Sequence, residues 1–261
     1  MKDFSFIYRL ADRFHSNRVL RFLFLKPYRK YKYHVSLYKK KAFHDCAHTV
    51  LTLFYEALKE IDCLCWLEFG TLIGAVRENG FIAHDDDIDV GMFLKDRPKN
   101  LEKHLAKYGF KRSRHIMVDD GQEAFEETYT LQGISIDIFY FHLSEYGNKM
   151  HCYEFVTDPD RLPREFMDEV GGFWTMKDTF PYQGFSNHSF LGLTVKIPSN
   201  YDEHLKAHYG NYMEPDSIHL IFTFCKTPTI SILHHDMDVN RSGMFILKNL
   251  ENSFYILIFS E

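Results

Sequence analysis

Between Asp85 and Asp89 the chain carries four carboxylates in five positions, broken only by Ile88 and followed by the apolar run Val90 to Phe93. Side chains two apart on a strand project from one face, so a strand over Ile88 to Phe93 sends Asp87 and Asp89 to a common point and turns Ile88 into the core. Carboxylates crowded together stay ionised only when a cation neutralises them, and an all-oxygen donor set suits Mg²⁺ or Mn²⁺. An isolated acidic run is ordinarily a solvated loop, but the apolar alternation after this one places it at the mouth of a sheet strand. A further acid, Asp137 in ISIDIFYF, has apolar neighbours on both sides. A buried acid needs a partner, and a neighbouring strand would bring Asp137 beside Asp87 and Asp89; pairing with a buried Arg or His is the structural alternative.

The surrounding pattern is that of an α/β (α+β) chain. From Asp45, placed as an N-cap, Ala47, Val50, Leu51, Phe54, Ala57, Leu58 and Ile61 recur at three- and four-residue steps, as in an amphipathic helix. CLCWLEF over 63–69 reads as a buried strand with Cys63 and Cys65 as core filler on one face. It ends at Gly70-Thr71, where a short helix begins, and such a corner offers unpaired N–H groups and a hydroxyl to phosphate oxygens. Arg77, roughly one and a half turns later, is placed to bind the same phosphates or to pair with a surface acid. Pro98 to Tyr108 reads as a helix closed by Gly109, and Phe110 to Val118, Glu127 to Gln132, Ile134 to Phe141, Met150 to Val156 and Phe190 to Ile197 read as strands. Ser199-Asn200 opens a capped helix that ends at Gly210. Runs of strands with few helices between them imply a mixed sheet flanked by helices.

With 45% hydrophobic and 26% charged residues in 261, the chain can bury one large core or two modest ones. No apolar run approaches the ~20 residues of a membrane span, and the N-terminus lacks the pattern of a signal peptide, so a cytoplasmic location is expected. Cys46, Cys63, Cys65, Cys152 and Cys225 lack disulfide or zinc spacing and are read as reduced. His44, Cys46 and His48 lie two apart and point to different sides of a helix, which keeps them from converging on a metal. The net charge of -5 conceals an asymmetry: Arg13 to Lys41 holds ten Lys and Arg and no acid, residues 1 to 12 balance, and the rest therefore sums to -15. An acidic body argues against nucleic acid as a partner. The basic segment over 13–41, rich in Phe, Leu and Tyr and broken by Pro27, reads either as an interfacial anchor, peripheral on the inner face of a membrane, or as a helix packed over the acidic body. The expected organisation is a basic aromatic segment over 1–42, a catalytic domain over 43–217, and an extension over 218–261 whose run FYILIFS reads as an edge strand or oligomer contact.

The stretch FGTLIGAVRENGFIAHDDDIDVGMF resembles the signature of the LicD family, which includes bacterial phosphocholine transferases, is related to fukutin and fukutin-related protein, and belongs to the nucleotidyltransferase superfamily. The family's glycine-Ser/Thr turn matches Gly70-Thr71, its paired metal-binding acids match Asp87 and Asp89, and its later acid resembles Asp137 in SIDIF. FLGLTVKIPSNYDEHLKAHYGNYMEPD resembles the family's closing strand and helix, so the likeness covers about residues 43 to 217. Ala83 and His84 stand where the family usually has Pro-Trp. The resemblance implies a nucleotidyltransferase-like fold with Asp87, Asp89 and Asp137 as metal ligands and catalytic residues, Asp137 also as general base, and Gly70, Thr71 and Arg77 against the donor phosphates. It implies Mg²⁺ or Mn²⁺, a CDP-linked donor such as CDP-choline, and transfer of phosphocholine or a related polyol phosphate to a hydroxyl of a cell-surface or capsular glycan, free or lipid-linked. A choline donor would need an aromatic or acidic pocket, although Trp66 and Trp174 are read as core packing rather than as a cation cage. Two other readings stay open: transfer of a nucleoside monophosphate to a small molecule or protein, and a non-catalytic membrane-associated module.

Overall fold

The computed structural model describes residues 18–83, 85–118, 124–156, 174–214, 244–248 and 254–259. Arg13 to Asn17, His84 and Cys225 lie outside the described residues. Helix α1 spans Arg18–Glu60. From Phe43 onward, Phe43, Ala47, Val50, Leu51, Phe54, Ala57 and Leu58 are buried and form one stripe. Asp45, expected to cap this helix, is instead exposed within it, because the helix is already under way at Arg18 and the N–H groups near 45 bond to the preceding turn. Nor does Pro27 interrupt it; the Leu, Arg and Lys around that proline are strong helix formers.

The strand expected over 63–69 shrinks to β1, Trp66–Leu67, because the chain turns at once into α2, Phe69–Arg77. Phe69 makes that turn at φ 43°, a left-handed conformation unusual for a bulky side chain. Glu68 caps the helix by accepting the Phe69 N–H. There follow β2 (Asp87–Phe93), α3 (Leu101–Ala106), β3 (Lys111–Val118), β4 (Ala124–Leu131), β5 (Ile134–Leu143), β6 (Lys149–Val156) and β7 (Trp174–Pro181). The strand expected across 190–197 is a hairpin, β8 (Phe185–Phe190) and β9 (Leu193–Pro198), since Leu191 and Gly192 take φ 50° and 82°, the pair of positive values a tight two-residue turn requires. α4, Tyr201–Tyr209, starts and stops where expected, but the Asn200 amide donates to the Pro181 carbonyl and to Glu203 instead of capping the backbone. β10 (Met244–Lys248) and β11 (Phe254–Phe259) complete the described elements.

The main sheet is mixed, in the order β1-β2-β5-β4-β3-β11-β10, with β6 paired to β5 and β7 to β6. β11, expected at an edge, lies inside the sheet between β3 and β10. Alternation along the strands sorts the two faces. Ile88, Val90 and Met92 of β2 and Ile134, Ile136, Ile138 and Tyr140 of β5 face the cluster built on α1. The opposite side holds the carboxylates of Asp87, Asp89 and Asp137, then Phe93 and Phe141 packed with Trp66, Phe69 and Phe180. Gly91 is required there, because a Cβ would stand 2.3 Å from the Trp66 indole.

Candidate active site

β2 and β5 run parallel in the register Asp87↔Ser135 and Asp89↔Asp137. A shared register and a shared face bring the carboxylates of Asp87, Asp89 and Asp137 together, with one oxygen of each within 4.8 Å of the others. Asp89 is fixed from both ends. Its backbone N–H donates to the Thr71 hydroxyl (2.9 Å), and its Oδ2 accepts the Gly70 N–H (3.2 Å). Burial, followed by repulsion from Asp87, Asp137 and Asp85, raises its pKa well above the ordinary carboxylate range. Asp85 closes a turn onto Ile82, whose N–H its Oδ2 accepts at 3.0 Å. Burial pushes Asp85 up to about 7, with the Ile82 bond opposing and Asp87, Asp86 and Glu78 adding. A Cβ at Gly70 would meet Asp85 Oδ1 at 3.1 Å and Asp89 Oδ2 at 3.4 Å, so glycine lets the helix start close onto both acids.

Two groups that sequence reasoning passed over complete the cluster. Arg114 donates to Asp137 Oδ2 (3.0 Å), to Thr128 Oγ1 (3.0 Å) and to Glu126. Glu126 is buried, and that burial, against the attraction of Arg114, pushes its pKa up to about 7, with Asp137 and Asp87 adding. Alternation in Arg112-Ser113-Arg114 puts both arginines on one face and so gave no signal that singled out Arg114. A bulge between Arg112 and Arg114 inserts Ser113, so arginines two apart reach opposite faces of the sheet. Arg114 reaches the acids, whereas Arg112 joins Arg97, Tyr129 and Tyr140 around the buried Glu127 on the other side. An open cleft lined by Asp86, Asp87, Ser113, Arg114, Thr128, Ser135 and Asp137 gives access.

Whether this set fits a cation is answered by Asp137. Its Oδ2 is taken by Arg114, while its Oδ1 is buried without a hydrogen-bond partner. Beside two further carboxylates, that oxygen suits a hard divalent ion such as Mg²⁺ or Mn²⁺. The groups expected against donor phosphates are engaged within the protein. Gly70 and Thr71 spend their N–H and hydroxyl on Asp89, and the Thr71 side chain is fully buried. Arg77 is absent from the cleft lining: its guanidinium binds Glu78 (2.6 and 3.1 Å) and the Tyr212 carbonyl (3.0 Å). Trp66 is core, donating to Glu68 (2.6 Å) and stacked on Phe185. Cys46, Cys63, Cys65 and Cys152 are free thiols.

Residues 63–200 match the family model described as LicD/FKTN/FKRP, nucleotidyltransferase domain. Ribitol-5-phosphate transferase FKTN of Mus musculus is 25% identical over 172 residues, 64% of this chain and 33% of that protein. Uncharacterized protein RP689 of Rickettsia prowazekii is 26% identical over 175 residues, 64% of this chain and 58% of that protein. The chain thus spans less than two thirds of the length of either relative.

Proposed function

The chain belongs to the LicD/FKTN/FKRP nucleotidyltransferase-domain family, and from that premise we propose that it transfers a phosphorylated substituent from a CDP-linked donor to a hydroxyl of a glycan. The observation that carries this reading is the in-register pairing of Asp89 with Asp137, which gathers the carboxylates of Asp87, Asp89 and Asp137, with Asp87 and Asp137 lining an open cleft beside Arg114. The name of the mouse relative supplies the class of group, a ribitol phosphate; choline, ethanolamine and glycerol phosphates are the neighbouring chemistries.

Asp87, Asp89 and Asp137 would hold Mg²⁺ or Mn²⁺, which supplies charge neutralisation at a diphosphate and a lowered pKa for an attacking hydroxyl. Gly70 and Thr71 keep the Asp89 carboxylate aimed at that point. Arg114 binds Asp137 through its Oδ2, which leaves Oδ1 as ligand or as acceptor of the hydroxyl proton. Asp137 is the general-base candidate, with the cation lowering the pKa of the attacking hydroxyl. Attack at the phosphorus bearing the substituent forms a phosphodiester and releases CMP.

The test is incubation of the purified protein with Mg²⁺, a glycan acceptor and CDP-linked choline, ethanolamine, glycerol or ribitol, followed by nucleotide analysis. Release of CMP with one donor is expected. Release of pyrophosphate from a nucleoside triphosphate instead would establish nucleotidyl transfer, and failure of every donor both to bind and to react would remove the enzymatic reading.

A further inference from the structure

A second convergence of metal-ligating groups shares no residue with the three clustered aspartates. Glu154 on β6, Asp178 on β7 and His208 in the last turn of α4 each place a donor atom within 4.8 Å of the other two. Strand pairing sets Cys152 opposite Asp178, and Glu154 follows on the same face of β6, so the hairpin presents both acids to the helix. The imidazole between them is held by aromatic packing, 5.1 Å from Phe69 and 5.9 Å from Phe180 between ring centroids.

An ion triad is the simplest alternative, and the distances argue against it. An imidazolium bridging two carboxylates closes to about 2.7–2.9 Å. Here Nε2 stands 3.6 Å from Glu154 and Nδ1 3.4 Å from Asp178, beyond charge-assisted hydrogen bonds. Asp178 Oδ2 is buried without a hydrogen bond. Burial, and after it Asp178, raises the Glu154 pKa well above the usual carboxylate range, and a hydrogen bond links the two carboxyls, so a cation entering here would displace the proton they share. One nitrogen and two oxygen donors match the preference of Zn²⁺, whereas the all-oxygen aspartate cluster matches Mg²⁺.

We propose that Glu154, Asp178 and His208 form a second divalent-cation site, of the Zn²⁺ class, that fastens α4 to the β6–β7 hairpin. Through His208 it also buttresses Phe69, the residue whose turn delivers the Gly70 N–H to Asp89. The inference does not depend on the reaction catalysed.

The experiment uses the full chain with the aspartate cluster disabled by Asp87→Asn and Asp89→Asn, stripped by chelator and titrated with Zn²⁺ by calorimetry and equilibrium dialysis. About one Zn²⁺ per chain is expected. Adding Glu154→Gln, Asp178→Asn or His208→Gln should each weaken uptake by about tenfold or more, since even indirect supports of a metal ligand contribute that much. Co²⁺ in place of Zn²⁺ should give visible bands that change with His208→Gln. Absence of Zn²⁺ uptake by the Asp87→Asn/Asp89→Asn protein, or uptake indifferent to all three further substitutions, overturns the proposal. The near-isosteric Gln and Asn variants guard against loss of folding being mistaken for loss of a ligand.

Discussion

At Asp89 the carboxylate accepts the Gly70 N–H while the residue's own N–H goes to Thr71, so its position is set independently of any bound ion. Asp89→Asn removes one carboxylate of the proposed metal clamp and also relieves repulsion from Asp87, Asp137 and Asp85. Turnover should fall about a thousandfold, roughly 4 kcal/mol of transition-state stabilisation, while the cation-free protein melts no lower than wild type. Activity within tenfold of wild type at saturating Mg²⁺ would show that Asp89 is not a ligand. Arg114 would compete with a cation for the same acids, and its pKa lies above the usual arginine value because burial is outweighed by Glu126, Asp137, Asp87 and Asp89. Arg114→Ala should therefore tighten Mn²⁺ binding in a calorimeter yet lower turnover, by leaving Asp137 without its orienting partner. Looser Mn²⁺ binding would mean that the arginine serves the metal site only as scaffolding. For Arg77, whose guanidinium joins α2 to the Tyr212 carbonyl, alanine should cost about 1–2 kcal/mol in a urea melt and leave donor affinity nearly unchanged. A large rise in donor Kd with unchanged stability would return Arg77 to the phosphate-binding role that its spacing suggested.

Element by element, periodicity was readable where one face of a segment is buried and the other is not. The β2 alternation, the β5 run around Asp137 and the apolar stripe of α1 from Phe43 to Leu58 all follow from that rule. It fails where backbone geometry overrides pattern. Phe69 turns the chain early and cuts β1 to two residues, Leu191-Gly192 folds a run that reads as one strand into a hairpin, and the bulge at Ser113 separates two arginines that spacing alone puts on one face. Arg114 was illegible for that last reason, and Glu154, Asp178 and His208 because only the tertiary path unites them. The bulge also builds the network around Glu127, on whose carboxylate Arg97, Arg112, Tyr129 and Tyr140 converge. Burial disfavours its ionisation, but the Arg97 bonds prevail and hold its pKa below the ordinary value. A depressed carboxylate contributes stability that is present above the unfolded pKa, about 4.3, and is lost as pH falls through the folded one. Glu127→Gln should cost about 3–5 kcal/mol at pH 7 and flatten the acid limb of stability against pH in urea titrations. Subtracting variant from wild type isolates this group from Asp85 and Glu126, whose raised values of about 7 act in the opposite direction. An acid limb as steep as that of wild type would assign acid lability to other groups.

Over the whole molecule the charge is divided between a basic stretch and an acidic body, and α1 joins the two as one continuous helix from Arg18. Beyond the packed stripe, Tyr33 and Leu37 on that helix are 63% and 47% exposed. Among the described residues no helix is long and apolar enough to cross a membrane. Exposed apolar groups among lysines and arginines are the elements of interfacial binding, at ~1 kcal/mol per basic contact with anionic lipid. Full-length protein should sediment with vesicles containing phosphatidylserine, less so as salt rises, and stay in the supernatant when residues 1 to 41 are deleted. Failure to sediment at low salt would leave the basic stretch the role of a cover over the acidic body. During synthesis the parallel pairing of β2 with β5 imposes an order of events. Parallel neighbours cannot be joined by a tight turn, and here α3, β3 and β4 emerge between the strands that carry Asp89 and Asp137. A nascent chain that has exposed only β2 carries two of the three clustered aspartates, and the third arrives only once β5 has left the ribosome and paired with it, so a cation held by all three would bind no earlier than that pairing.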